Sequence, residues 1–403
     1  MLSINVGEDK AMAIELSYVI MTPYTVMKSR TGGVISRLLS RTDLEFIGAR
    51  ILPFSDELAN RYAKSLLDTV SKRDPQVAQL LSDYVRENFS PVDGKSERTM
   101  VFLFRGEDAC RKLSAVVGNL SPLASRKYVA GATIRDTFAD YVVDKSGAVK
   151  YFEPAVLTPP NMEEALPKLQ MFSEYMKTLP NVVKSFVGVN SNDERTLVII
   201  KPDNWRHPSS KPGGIIDMLS RTGLRIVGAK LYQMSVAEAL EFYGPVKDAL
   251  RRKLAPMIGG KAKTLLEKEF NIKLKEGIDA KLTELVGFDF ADDQFAQIVE
   301  FMSGRRPESC PNFELNDKGR VKCLVMIYEG ENAISKIRDV LGPTDPTKAP
   351  GGTVRCDYGY NVMVNTAHAS DSKENAAREM NIVKIEKNDM TDIISAYLND
   401  RKK

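Results

Sequence analysis

The chain contains only two histidines, His207 and His368. His368 lies in NTAHASDS, between Ala367 and Ala369, with Asn365 and Ser370 close by. Small neighbours leave room for a bulky reactant beside the ring. A neutral imidazole is a competent nucleophile near pH 7. Asp371, three residues before Glu374, is placed to cap a following helix. The first turn of such a helix would offer backbone N–H groups as an anion site next to the ring. Taken alone, His368 reads rather as a satisfied structural histidine; the residues around it change that reading. His207, in the polar stretch WRHPSSKPGG, reads as a surface residue.

The residues around His368 in sequence order are cationic or phosphate-compatible. Lys201 closes the apolar run in IIKPD, Arg338 ends an amphipathic stretch, Thr344 stands in LGPTDP, and Arg355 opens an expected strand. Arg suits bidentate contacts with phosphate. One nucleophile, several cations and a helix N-terminus point to phosphoryl transfer. The chain has no GxxxxGK[ST] loop, no GxGxxG after a strand, and neither HRD nor DFG. A nucleotide would have to be held in another way.

The elements that bring these residues together repeat within the chain. Residues 16–52 and 195–231 share an apolar run, a Pro, a Gly-Gly pair, an amphipathic stretch, Ser-Arg-Thr and a second apolar run. RGEDACRKLSAVVGNLSP (105–122) parallels EGENAISKIRDVLGPTDP (329–346), and GATIRDTFADYVV (131–143) parallels GGTVRCDYGYNVM (351–363). Three collinear blocks indicate a tandem duplication. Each copy predicts strand–helix–strand twice. In the second copy the strands fall over Leu197–Ile200, Arg225–Leu231, Cys323–Tyr328 and Asn361–Val364, with helices after Gly213-Gly214 and over Asn332–Leu341. This is the split βαβ arrangement of the ferredoxin-like fold, an α+β class with helices against an antiparallel sheet.

Composition bounds the alternatives. The 403 residues exceed one ordinary core and suggest two domains. With 57 Lys and Arg against 53 Asp and Glu, the net charge is only +4, so no global basic field points to nucleic acid. The four cysteines form no CxxC pair, and with two histidines a zinc site is not expected. They read as reduced thiols of a cytoplasmic protein. No basic-then-apolar leader and no apolar run of ~20 residues is present, so membrane and secreted readings fall away. Residues 244–293 form a Lys-rich insert in which Lys and Glu alternate; a solvated helix pair is the plainer reading than a nucleic-acid patch.

The segments ERTLVIIKPD, GGIIDMLSRTGLRIVGAK, LGPTDP, PGGTVRCD and NTAHASDSKENAAREM, in this order, resemble nucleoside diphosphate kinase. The resemblance covers nearly all of residues 194–380 apart from the insert. It implies a ferredoxin-like fold and ping-pong transfer of a γ-phosphate between nucleoside tri- and diphosphates through a phosphohistidine, with Mg²⁺ carried by the nucleotide. It implies His368 as nucleophile and Glu379 as the partner of its other ring nitrogen. Lys201, Tyr243, Arg338, Thr344 and Arg355 would meet the phosphates, Asn365 and Lys201 the ribose, Val362 the base, and Ser370 the neighbourhood of the phosphorylated ring. Where the family carries a Phe pair whose first member stacks on the base, this chain has Gln294 followed by Phe295.

The first copy departs further. Thr22, Ser114 and Leu120 stand where Lys201, Arg338 and Thr344 stand in the second, and only Arg135 matches Arg355. Residues 1–193 contain no histidine, so this copy cannot form a phosphohistidine. The expected organisation is a degenerate domain over 1–152, a linker over 153–192 and a catalytic domain over 193–403. The copies are expected to pair as an internal pseudo-dimer, with further homo-oligomerisation left open. The rival class is a non-catalytic nucleotide-binding or scaffold module that kept the fold.

Overall fold

A computed structural model describes residues 14–120 and 131–401. Its first half contains β1 (Ile14–Met21), β2 (Glu45–Leu52), β3 (Thr99–Glu107), the hairpin β4 (Asp140–Val143) and β5 (Val149–Glu153), and β6 (Val156–Leu157). Its second half contains β7 (Glu194–Ile200), β8 (Arg225–Tyr232), β9 (Cys323–Gly330) and β10 (Ala367–Ala369). Two four-stranded sheets result, with orders β2-β3-β1-β6 and β8-β9-β7-β10, and every pairing within them is antiparallel. The two orders are the same pattern used twice, which is the expected ferredoxin-like α+β architecture. Even the irregularity repeats: register shifts occur between Phe46 and Gly48 and between Ile226 and Gly228.

The central strands are runs such as LVII and CLVMIYEG, buried on both faces. In the first copy one face packs under the helices Asp56–Val70, Pro75–Phe89 and Met162–Met176. The other face joins a core continuous with that of the second copy.

Four expectations need correction. Asn361–Val364 is not a strand; the fourth strand is the three-residue segment Ala367–Ala369. Arg355 lies in the short helix Val354–Tyr358 rather than opening a strand. The span 153–192 does not behave as a linker. Val156–Leu157 pairs with β1, and Met162–Met176 is buried in the first copy's core. Nor does the second copy keep its own tail, since Met390 and Ile394 of the helix Met390–Asp400 are buried in that same first-copy core. The insert does form a helix pair. The helix Val236–Phe270 starts before it, a short turn of π-helix spans Thr283–Gly287, and Phe288–Ser303 returns.

The copies meet about an approximate two-fold. Arg98, just before β3, donates to Ile226 O at 2.9 Å, and Lys322, just before β9, donates to Phe46 O at 3.2 Å. Phe46 stacks on Trp205 with centroids 5.8 Å apart. The helices Thr31–Arg41 and Lys211–Ser220 cross at equivalent glycines. A Cβ on Gly32 would lie 2.6 Å from Asp217 N, and one on Gly213 would lie 2.6 Å from Ser36 N. No carbon fits at such distances against backbone, so the first glycine of the pair at each helix start also permits the crossing. We expect Gly213→Val to destabilise the chain by about 1–3 kcal/mol, the usual cost of overpacking. Gly260→Ala, whose Cβ meets nothing within 4 Å, should be neutral or add up to about 1 kcal/mol. Denaturant midpoints of the two variants test this; equal midpoints would remove the close crossing from the account.

Candidate active site

The site is built at the exposed ends of β7 and β10. Thr366 precedes the last strand with φ +77°, a strained conformation for a β-branched residue. Three hydrogen bonds hold the kink. Its carbonyl accepts from Lys201 N at 2.9 Å and from Asn204 Nδ2 at 2.8 Å, and its hydroxyl donates to Tyr358 O at 3.0 Å. The chain then enters β10, where His368 lies opposite Ile199.

Ser372, not Asp371 as expected, caps the helix Lys373–Ile382, its hydroxyl accepting from Asn375 N. That helix brings Glu379, which is 4% exposed, under the imidazole. Glu379 Oε2 lies 2.9 Å from His368 Nε2 and accepts from Ser370 Oγ at 2.6 Å. An ionised carboxylate only accepts, so Nε2 carries the proton and Nδ1 keeps a free lone pair. The imidazole retains 22% of its side-chain exposure. Phe242 packs at 70° to it with centroids 5.1 Å apart, and Tyr243 at 74° with centroids 6.1 Å apart.

The cations form a second group. Lys201 Nζ donates to Asn365 Oδ1 at 2.7 Å, and Asn365 Nδ2 donates to Thr344 O at 3.1 Å and Val362 O at 2.8 Å. Burial, helped by the Arg355 cation and opposed by Asp203, brings the Lys201 ammonium down to about 8. Arg355 donates to Gly342 O at 2.7 Å and Ala367 O at 3.1 Å, while its buried Nε has no partner. Burial and the neighbouring Arg338 lower it to about 10, with Tyr243 opposing. The Tyr243 hydroxyl is also buried without a partner, and burial pushes its pKa well up. Uncompensated cations beside orphaned donors form an environment suited to an anion.

Lys201, Tyr243, Arg355, Asn365, His368 and Glu379 are thus gathered within one small region. Arg338, Thr344 and Val362 are exposed at its rim. Ser370 is fully buried and engages Glu379, so it positions the carboxylate rather than facing a nucleotide. His207 is exposed in its loop. Two participants escaped the sequence reading. Phe242 was hidden inside an apolar helix face. Arg378, which donates to Glu241 O and Phe242 O and lies 3.6 Å from Glu379 Oε1, carried no signal beyond adjacency to Glu379. Among the described residues no cluster of three or more His, Cys, Asp or Glu could hold a metal ion.

The first copy keeps the frame without the chemistry. Arg135 donates to Gly118 O and Val156 O, as Arg355 does to Gly342 O and Ala367 O. Ala155 has φ +60° where Thr366 has φ +77°. Leu157 lies opposite Ile20 where His368 lies opposite Ile199.

The family model described as nucleoside diphosphate kinase matches residues 194–252 and 314–388, which leaves out most of the helical hairpin. A nucleoside diphosphate kinase of Staphylothermus marinus is 31% identical over 192 residues, which is 48% of this chain and 93% of that protein. One of Gluconacetobacter diazotrophicus is 34% identical over 187 residues, 46% of this chain and 90% of that protein. Among solved structures, the Aquifex aeolicus nucleoside diphosphate kinase aligns with TM-score 0.28 and 24% identity, covering 47% of this chain and 94% of that one. A Borrelia burgdorferi nucleoside-diphosphate kinase, solved as a transition state mimic with vanadate and ADP, aligns with TM-score 0.30 and 20% identity over 49% and 93%.

Proposed function

The chain belongs to the nucleoside diphosphate kinase family, and from that premise we propose that its second copy transfers phosphate by a ping-pong route through His368. The observation that carries this reading is the His368 Nε2 to Glu379 Oε2 contact at 2.9 Å, which leaves Nδ1 as the free base. In the first half-reaction the Nδ1 lone pair attacks the γ-phosphorus of a Mg²⁺-bound nucleoside triphosphate. The N–P bond forms as the P–O bond to the β-phosphate breaks, and the diphosphate leaves. In the second half-reaction a β-phosphate oxygen of another diphosphate attacks the phosphohistidine, and Nδ1 recovers its lone pair. Glu379 stabilises the positive charge that appears on the ring while phosphorus is bound. Arg355, Arg338, Lys201, Tyr243 and Thr344 hold the phosphates, and Asn365 with Lys201 holds the ribose. Val362, at the exposed rim, lies against the base. The metal arrives and leaves as part of the substrate, ligated by its phosphates.

Incubating the chain with γ-labelled ATP and Mg²⁺ tests this. Acid-labile, alkali-stable label on the protein, discharged by a second nucleoside diphosphate, is the expected result. An unlabelled protein would favour the non-catalytic reading. Glu379→Gln keeps an acceptor near Nε2 but removes its charge. We expect turnover to drop by roughly 10–100-fold, the usual effect of altering a group that orients a reactive residue. Unchanged turnover would deny Glu379 an electrostatic part.

We further propose that the pairing of the two copies acts as an internal pseudo-dimer. The close helix crossing and the reciprocal Arg98 and Lys322 bonds support it. So does the helix Met390–Asp400, which leaves the second copy to pack on the first. Four free cysteines, three of them buried, suit a reducing cytoplasm. No described helix is long and apolar enough to cross a membrane.

A further inference from the structure

We propose that the cleft of the first copy is a second ligand site, taking a small organic anion of the nucleoside monophosphate class at Lys168 and Arg73. The first copy holds a cavity of about 270 Å³ where the second holds its nucleophile. Leu157 and Arg135, the counterparts of His368 and Arg355, both line it. Lys168 follows Leu157 by the same interval of 11 that separates Glu379 from His368. The nucleophile has become apolar and the carboxylate beneath it has become a cation. A position that would stabilise a positive ring now attracts negative charge.

The charges on this wall are unusual for a copy kept only as scaffold. Lys168 is 1% exposed and lies 3.5 Å from Glu164, which also pairs with Arg73 at 2.7 Å. Asp74 is occupied in capping the helix Pro75–Phe89, accepting from Val77 N at 3.0 Å. Arg73, Arg135 and Lys168 against Asp74 and Glu164 leave one net positive charge at the cavity. Each buried ion costs several kcal/mol of desolvation, and apolar residues would join these helices at lower cost. Lys168 does tie two helices through Thr69 Oγ1 at 3.2 Å. That bond and the Glu164 pair employ two of the ammonium's three donors, which leaves one for a ligand. Much of the remaining wall, including Leu66, Val70 and Leu81, is apolar. The rest is polar, with Tyr18, Tyr62 and Asn119 beside the charged groups, so apolar surface and convergent polar groups meet as they do in small-molecule sites.

The same wall limits the anion. Thr22 replaces Lys201 and donates to Glu153 at 2.8 Å, and Ser114 replaces Arg338. Of the corresponding cations only Arg135 remains, engaged by Gly118 O and Val156 O, so a polyphosphate tail has little to hold it. The volume falls just below the usual range for ligand pockets, about 300–1,000 Å³, so the ligand must be small. A cleft inherited from a nucleotide site, shortened at its phosphate end and one charge positive, suits a nucleoside with a single phosphate.

Calorimetric titration of the full chain with AMP, GMP, CMP and UMP, and with inorganic phosphate alone, tests the proposal. At least one monophosphate should bind more tightly than phosphate. Lys168→Met should weaken it roughly tenfold or more, as loss of a charge-assisted hydrogen bond does. Ser114→Trp, which fills the cavity from its half-buried rim, should abolish it while leaving phosphotransfer intact. Arg338→Ala should leave it unchanged. Three results would overturn the proposal: no binding of any monophosphate at millimolar concentration, binding no tighter than phosphate, or binding lost in Arg338→Ala and kept in Ser114→Trp. None of these would touch phosphohistidine formation, which is read separately by the label on His368.

Discussion

His368→Ala should form no phosphoenzyme and show no nucleotide-dependent turnover, while His207→Ala should behave as the parent protein. The expected loss is complete, because covalent transfer depends on one lone pair. Residues 1–193 contain no other imidazole, and His207 lies exposed in a loop far along the chain from the Glu379 partner. Ser370 cannot stand in: its hydroxyl already donates to Glu379 at 2.6 Å, and the residue is fully buried. His368 packs on Phe242 and Tyr243 and bonds Glu379, but Glu379 keeps its bond from Ser370 and the partly exposed ring leaves a gap open to solvent. The variant should therefore fold, which a melting curve would confirm before activity is read. Residual turnover of the folded His368→Ala protein at more than trace level would end the phosphohistidine reading. Loss of turnover in His207→Ala would show that the loop before the helix Lys211–Ser220 has a part not foreseen here.

How much of this was legible in the sequence depends on the range of each interaction. Val198–Ile200 and Leu324–Ile327 are apolar runs long enough to declare strands, and the order of the two sheets followed from recognising the split βαβ unit. His368 and the helix start after it are legible in one short segment, whereas Glu379 enters only through the family resemblance and the Thr366 kink has no signal in the sequence. By contrast β10 has three residues, Ala-His-Ala, too few for their alternation to declare a strand. A strand that short is set by the hydrogen bonds it finds on β7, so its expected position slipped to Asn361–Val364. Thr353 and Val354 have the β-branched look of a strand, but Arg355 is turned inward by the carbonyls of Gly342 and Ala367, and the short helix is the backbone's way of reaching them. The tail exchange was invisible for another reason. Met390 and Ile394 repeat at helical spacing, which says that they are buried but not in which copy. In the sequence the glycine pairs mark helix openings, while the part of Gly32 and Gly213 in the crossing of the two copies depends on packing between residues far apart in the chain.

Three arginine variants should separate the phosphate site from the frame that carries it. Arg338 is exposed on the last turn of the helix Ala333–Leu341, close enough to Arg355 to lower its pKa. Two like charges held this close, with no carboxylate between them in the hydrogen-bond pattern, are favourable only when an anion joins them. Arg338→Ala should reduce kcat/KM by about 10- to 1000-fold, or ~1.4–4 kcal/mol of transition-state stabilisation, with little change in melting temperature. Arg355→Ala should reduce kcat/KM by a similar factor and also lower stability, because the carbonyls of Gly342 and Ala367 lose their donor. An unsatisfied buried group costs about 1–3 kcal/mol. Arg135→Ala strips the equivalent carbonyls, Gly118 and Val156, in a copy without a nucleophile. It should match Arg355→Ala in lost stability and the parent protein in kcat/KM. The three variants therefore occupy different corners of a plot of activity against stability: activity alone for Arg338, both for Arg355, stability alone for Arg135. If folded Arg135→Ala lost as much turnover as Arg355→Ala, the two copies would have to share one site, and the division into a reacting copy and a supporting one would fail.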